Sequence, residues 1–203
     1  MKKLLIVLAV LLGLALVAGV ALFTKGVGIY NNIIALEEGV RSQWAQVENT
    51  YQRRYDLIPN LVATVQGEAN FEKSTLTAVI DARSRMGGVV KVDPTQLGDA
   101  QTMQRYENAQ ASLGGALQRL LMVTENYPQL KANQAFQDLR VQLEGSENRI
   151  SVERKRYNEV VQSYNTFIRQ FPNSLVAGFA SATPKVPFSA QIEAQTAPKV
   201  EFK

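Results

Sequence analysis

Between Ile33 and Ala69 the apolar residues recur at a spacing that only an α-helix gathers onto one face. Ile33, Leu36, Val40, Trp44, Val47, Tyr51, Tyr55, Ile58, Val62, Val65 and Ala69 advance 36 residues in ten steps, or 3.6 per step. The stripe runs straight through "YQRRYDLIPNLV", residues 51–62, although that stretch carries two arginines and a proline. A helix striped over such a length must bury the stripe against other helices, and no segment of the chain alternates as a half-buried strand would.

The remaining stripes supply those partners. Leu76, Val79 or Ile80, Ala82 and Met86 make a shorter second helix that stops at Gly87-Gly88. Met103, Tyr106, Ala109, Leu113, Leu117, Leu120 or Leu121, Thr124 and Tyr127 make a third, closed by Pro128. Gly114-Gly115 lies inside it at a cost of about 1 kcal/mol per glycine, for which close helix packing is the expected compensation. Asn133 caps a fourth, striped by Phe136, Leu139, Leu143, Ile150, Tyr157, Val161, Tyr164, Ile168 and Phe171 and closed by Pro172. The expected fold is all-α: an elongated antiparallel four-helix bundle over residues 26–172, with long first and last helices of about 60 Å. Residues 173–203, with three prolines and no sustained period, read as an extended or disordered tail.

Ahead of the bundle, Leu4–Phe23 is twenty uncharged apolar residues, about 30 Å of helix and the thickness of a bilayer core. Residues 1–25 are therefore expected to be a membrane anchor in contact with lipid, joined to the bundle by the glycine-bearing "TKGVG" at 24–28. The run exceeds the usual signal-peptide core, although "GVA" at 19–21 offers a weak cleavage site. Lys2 and Lys3 precede it and only Lys25 closely follows, which places the N-terminus in the cytoplasm and the bundle outside, in a single pass.

Composition narrows the chemistry. The 203 residues contain neither cysteine nor histidine, so thiolate nucleophiles, imidazole bases, disulfides and the usual zinc sites are excluded. No calcium-loop spacing of acids occurs, and no metal or cofactor is expected. Setting Lys2 and Lys3 aside leaves 20 basic residues (22 − 2) against 18 acidic, a net of +2 with no clustered basic face. Nucleic acid is not an expected partner.

Two polar interruptions fall near the midpoints of the long helices. Arg53, Arg54 and Asp56 break the first stripe, and Glu144 and Glu147 stand in the polar middle of the fourth, "LEGSENRISVERKRYNEV". Antiparallel packing would set these against each other as a carboxylate–guanidinium layer, which specifies register better than it adds stability. The rival reading makes Glu144 and Glu147 a paired-acid catalytic site, but arginine partners would hold both acids ionised and nothing nearby supplies a nucleophile. Pro59 is expected to kink the first helix.

Two long stretches resemble the LemA family: "YNNIIALEEGVRSQWAQVENTYQRRYDLIPNLVATVQGEANFE" at 30–72 and "ENYPQLKANQAFQDLRVQLEGSENRISVERKRYNEVVQSYNTFIRQFPNSLVAGF" at 125–179. Arg53, Arg54, Asp56, Pro59, Asn60, Glu144, Gly145, Glu147, Asn148, Arg149, Tyr157, Asn158, Tyr164 and Asn165 match its pattern, and residues 73–100 are the least typical part. The resemblance implies a bacterial, membrane-anchored helical bundle outside the cytoplasm and supplies no catalytic residue. The functional expectation is a non-catalytic structural or interaction protein of the cell envelope that self-associates. Its alternative is an accessory or signalling partner of another envelope protein. Leu175, Val176 and Phe179 are candidate docking residues.

Overall fold

The computed structural model describes residues 2–68, 71–87 and 91–189. Among them are six α-helices and no strand: α1 (Lys2–Gln66), α2 (Lys73–Met86), α3 (Ala100–Thr124), α4 (Pro128–Ala132), α5 (Gln134–Arg169) and α6 (Asn173–Phe179), with a 3-10 turn at Pro94–Gln96. α1 packs along α5, α2 packs on α3, and α6 touches both α1 and α5.

Caps and breakers place the ends. Asp99 accepts backbone hydrogen bonds from Gln101 and Thr102 at the start of α3, and Asn133 accepts one from Phe136 at the start of α5. Pro128 does not end α3, which stops at Thr124. It occupies the first position of α4, where its missing donor costs nothing. The joint expected at 24–28 is absent, because α1 passes through it unbroken. Gly26 and Gly28 each cost about 1 kcal/mol in a helix, too little to interrupt one that is propagated from both sides.

The buried faces repeat every seventh residue, slightly tighter than the 3.6 period of the sequence stripe. On α1, Ile33, Val40, Val47, Arg54 and Leu61 are all buried, as are Trp44, Tyr51, Ile58 and Val65 on the adjoining line. On α3 the lines are Met103, Gln110, Leu117, Thr124 and Tyr106, Leu113, Leu120; on α5 they include Phe136, Leu143, Ile150, Tyr157 and Tyr164. Tyr55 and Val62, expected to face the core, are only partly buried, and their neighbours Arg54 and Leu61 take those places.

The core falls into two clusters. One is rich in rings and holds Trp44, Tyr51, Tyr106, Tyr157 and Phe188, with centroid separations of 5.2–5.7 Å among the contacting pairs. The other is mainly aliphatic, with Ile58, Leu61, Val79, Leu113, Leu120 and Leu143. Arg54 and Gln110 lie between them in sequence on α1 and α3.

The segment from residue 173, expected to be an extended or disordered tail, begins as a helix. Residues 173–179 form α6, and residues 182–189 run extended across the ring-rich core with Lys185 and Phe188 buried. Two ring faces explain the anchorage: Phe188 stacks on Trp44 at 5.7 Å and meets Tyr157 edge-on at 5.3 Å. The end of the expected tail, residues 190–203, lies outside the described residues.

Candidate functional site

A three-helix polar layer is centred on Arg54, which is 2% exposed. Its Nη1 donates to Glu147 Oε1 at 2.7 Å, and its Nη2 donates to Gln110 Oε1 at 2.5 Å and to the Gln110 carbonyl at 3.3 Å. The guanidinium also lies over the Tyr51 ring, 5.1 Å from its centroid. Arg54 thus bonds α3 and α5 at once. Glu147 stands at the rim, its side chain 47% exposed, so the pair is buried at the cation and wet at the carboxylate. A methyl group at Gly114 would meet Arg54 Nη1 at 3.5 Å, whereas one at Gly115 would meet nothing within 4 Å. The first of these is an ordinary van der Waals contact, so the close helix packing expected to require the pair accounts for neither glycine.

The other polar residues singled out in the sequence do not join this layer. Glu144 pairs with Arg140 on its own helix at 3.0 Å, and Asp56 accepts from Gln52 at 2.7 Å. Arg53 is exposed and lines an open groove with Gln46, Asn49, Gln52, Arg149 and Glu153. Glu144 and Glu147, three apart on α5, thus each face a different arginine. Among the described residues no three acidic side chains converge as a metal site requires. Pro59 lies within α1 on its solvent side.

A second constellation was not singled out as a site in the sequence. Asn165 and Lys185 exchange two hydrogen bonds: the Lys185 N–H donates to Oδ1 and Asn165 Nδ2 donates to the Lys185 carbonyl, both at 2.8 Å. Asn158 and Phe188 repeat the exchange at 2.8 and 3.0 Å. Each asparagine amide replaces a neighbouring strand for the extended strap at 182–189. Seven residues of helix rise about 10.5 Å and three residues of strand about 10 Å, so asparagines seven apart match strap residues three apart. Tyr157 donates to the Val186 carbonyl at 3.2 Å, the Val186 N–H donates to the Leu97 carbonyl at 2.8 Å, and Ser189 is held by Glu107 and Arg154. Lys185 is buried but paired, its Nζ 2.8 Å from Glu37. A signal was present in the chain, since "YN" occurs at 157–158 and again at 164–165. The tyrosines enter the core and the asparagines take the strap.

Of the three candidate docking residues, Val176 is partly buried against the ring-rich core, while Leu175 and Phe179 point outward, Phe179 being 93% exposed. Leu8–Phe23 is exposed along its whole length, and α1 is the one described helix long and apolar enough to cross a membrane.

The profile of the LemA family matches residues 43–202. The chain is 26% identical over 167 residues to the magnetosome protein MamQ 2 of Paramagnetospirillum magneticum, covering 73% of this chain and 60% of that one. It is 25% identical over 191 residues to the magnetosome protein MamQ of Magnetospirillum gryphiswaldense, covering 83% and 69%. It is 24% identical over 153 residues to protein LemA of Metamycoplasma hominis, covering 74% and 64%.

Proposed function

The chain belongs to the LemA family, and from that premise we propose that it is a membrane-anchored, non-catalytic interaction protein that associates with copies of itself. The observation that carries this reading is the continuity of α1. One helix begins in an apolar run, exposed from Leu8 to Phe23 among the described residues, and ends in the packed core at Ile33 and beyond. A span joined without a flexible joint holds the packed helices at a fixed angle to the bilayer, and even weak lateral contacts between copies then gain from shared tethering.

In this reading the packed part is an antiparallel four-helix bundle with coiled-coil packing. Gln43 meets Glu153 and Arg54 meets Glu147, so numbering rises along α1 as it falls along α5, and the seven-residue repeat is the coiled-coil period. Lys2 and Lys3 keep the N-terminus in the cytoplasm and the bundle outside a bacterial cell membrane. The names of the MamQ relatives assign them to magnetosomes, which favours a part in a cellular structure over a part in a reaction.

The test is the mass of the full-length protein in mild detergent beside that of residues 24–203 without it. A defined assembly of the first with a monomer of the second is the expected result. Monomers in both cases overturn self-association. The groove between Arg53 and Arg149 favours the alternative in that event: an accessory role on another envelope protein, checked by whether Arg53→Glu with Arg149→Glu abolishes its capture.

A further inference from the structure

We propose that the end of the packed domain nearest the N-terminal run is itself a lipid-binding surface, with Phe171, Leu175 and Phe179 inserting into the headgroup layer. This rests on the membrane reading of Leu4–Phe23 given above.

Position comes first. Asn165 and Glu37 both hold Lys185, so α5 at Asn165 is level with α1 at Glu37. Four residues later α5 ends, and α6 packs on α1 and α5 with Ala177 in the same buried cluster that Ile29 packs against. Ile29 is six residues past Phe23, about 9 Å along the helix. The headgroup layer on each face is about 5–7 Å deep, so Ile29 lies about 2–4 Å past its outer edge, a gap that a phenylalanine side chain spans. From Leu4 to Leu36 the chain has 33 residues (36 − 4 + 1) and a single charge, Lys25. That is about 50 Å of helix, longer than a bilayer with its headgroups, so the excess continues onto this end of the domain.

Chemistry comes second. Phe171 is 81% exposed and Leu175 59%, and with Phe179, Val27, Tyr30 and Ile34 they make the apolar outer surface of this end. Residues 26–36 and 170–184, which build it, contain no charged residue at all. Twenty-six residues (11 + 15) at the chain's 20% charge would carry about five. Lys25 and Arg169 border these segments, and beyond their other ends Lys185 and Arg41 both pair with Glu37. A surface facing water or a polar partner gains from charge. One facing the acyl–headgroup boundary is penalised by it and favours aromatic residues there.

The experiment uses the full-length protein in vesicles of phosphatidylcholine and phosphatidylglycerol carrying bromine high on the acyl chains. Phe171→Trp and Phe179→Trp are compared with Val17→Trp in the run and Met122→Trp at an exposed site on α3, after subtracting the signal of buried Trp44. The expected result is severalfold stronger lipid quenching of Phe171→Trp and Phe179→Trp than of Met122→Trp, with Val17→Trp quenched as well. Quenching of Val17→Trp alone overturns the surface while leaving the anchor intact. No quenching of any of them means that the run does not span, and both readings fall. Shielding of Phe179→Trp that grows with protein density but ignores brominated lipid assigns the surface to a second copy and also overturns the proposal.

Discussion

Arg54 and Gln110 meet at 2.5 Å, each on a line of its own helix where the residues seven away on either side are apolar. Val47 and Leu61 flank Arg54, and Met103 and Leu117 flank Gln110. The pairing gives a buried cation on α1 its partner on α3 at one height of the two helices.

Removing the rim carboxylate leaves that cation with neutral partners alone. Glu147→Gln is expected to cost up to about 1 kcal/mol, because the carboxylate is half-exposed and the amide oxygen can still accept from Arg54. Replacing both buried members with apolar residues, Arg54→Met with Gln110→Leu, is expected to be neutral or stabilising by about 1–4 kcal/mol, because no desolvated charge remains. Urea denaturation of both variants checks the pair of signs. A double variant far less stable than the parent would show that the layer contributes net stability.

Gly115→Ala is expected to raise stability by about 0.5–1 kcal/mol, since a methyl group there meets nothing and the helix gains in backbone entropy. Gly114→Ala should gain by a similar amount, because its methyl group would meet the Arg54 guanidinium only at ordinary van der Waals distance. Urea midpoints of the two variants are the measurement, and a clear loss in Gly114→Ala would show that Arg54 cannot accommodate that contact.

Asn158→Ala and Asn165→Ala each strip the strap of two hydrogen bonds and leave backbone groups at Phe188 or Lys185 unpaired, at about 1–3 kcal/mol for each orphaned group. Amide hydrogen exchange is the direct readout: the N–H of Phe188 should lose protection in the first variant and that of Lys185 in the second. Protection unchanged in both would show that ring packing of Phe188 alone retains the strap.

The tyrosines predict an alkaline limit. Burial raises the phenols of Tyr51, Tyr106 and Tyr157 above the usual value of 10.0, and burial followed by the charge of Glu37 pushes Tyr164 up to about 12. Above about pH 10 the unfolded chain releases phenolic protons that the folded chain retains, so stability is complete below that pH and falls as pH rises toward the folded values. The Tyr164 hydroxyl is buried without a hydrogen-bond partner among the described residues. Tyr164→Phe should therefore be neutral or stabilising at pH 7 and should lessen the alkaline loss. At the acid end, Asp99 is held below its usual range by the Thr102 hydroxyl and the Gln101 N–H, so its capping contribution is present above about pH 4 and lost as pH falls further. Denaturation midpoints across that range check both ends.

What the sequence by itself determined is local in origin. Helical periodicity, the Asn133 cap, the breaks after Gln66 and Met86 and the uncharged apolar run all depend on residues within a few turns of each other, and they are legible in the order of the chain. The tertiary structure alone decided which of two adjacent residues enters the core. Arg54 and Tyr55 both lie near the edge of the stripe, and so do Leu61 and Val62. Packing at a seven-residue repeat draws Arg54 and Leu61 inward, where partners on α3 and α5 await the guanidinium. The strap lay beyond sequence reading for the same reason: its hydrogen bonds reach back 20 and 30 residues to Asn165 and Asn158, and its ring reaches Trp44. A segment with no period of its own takes its conformation from partners that only the folded chain brings alongside.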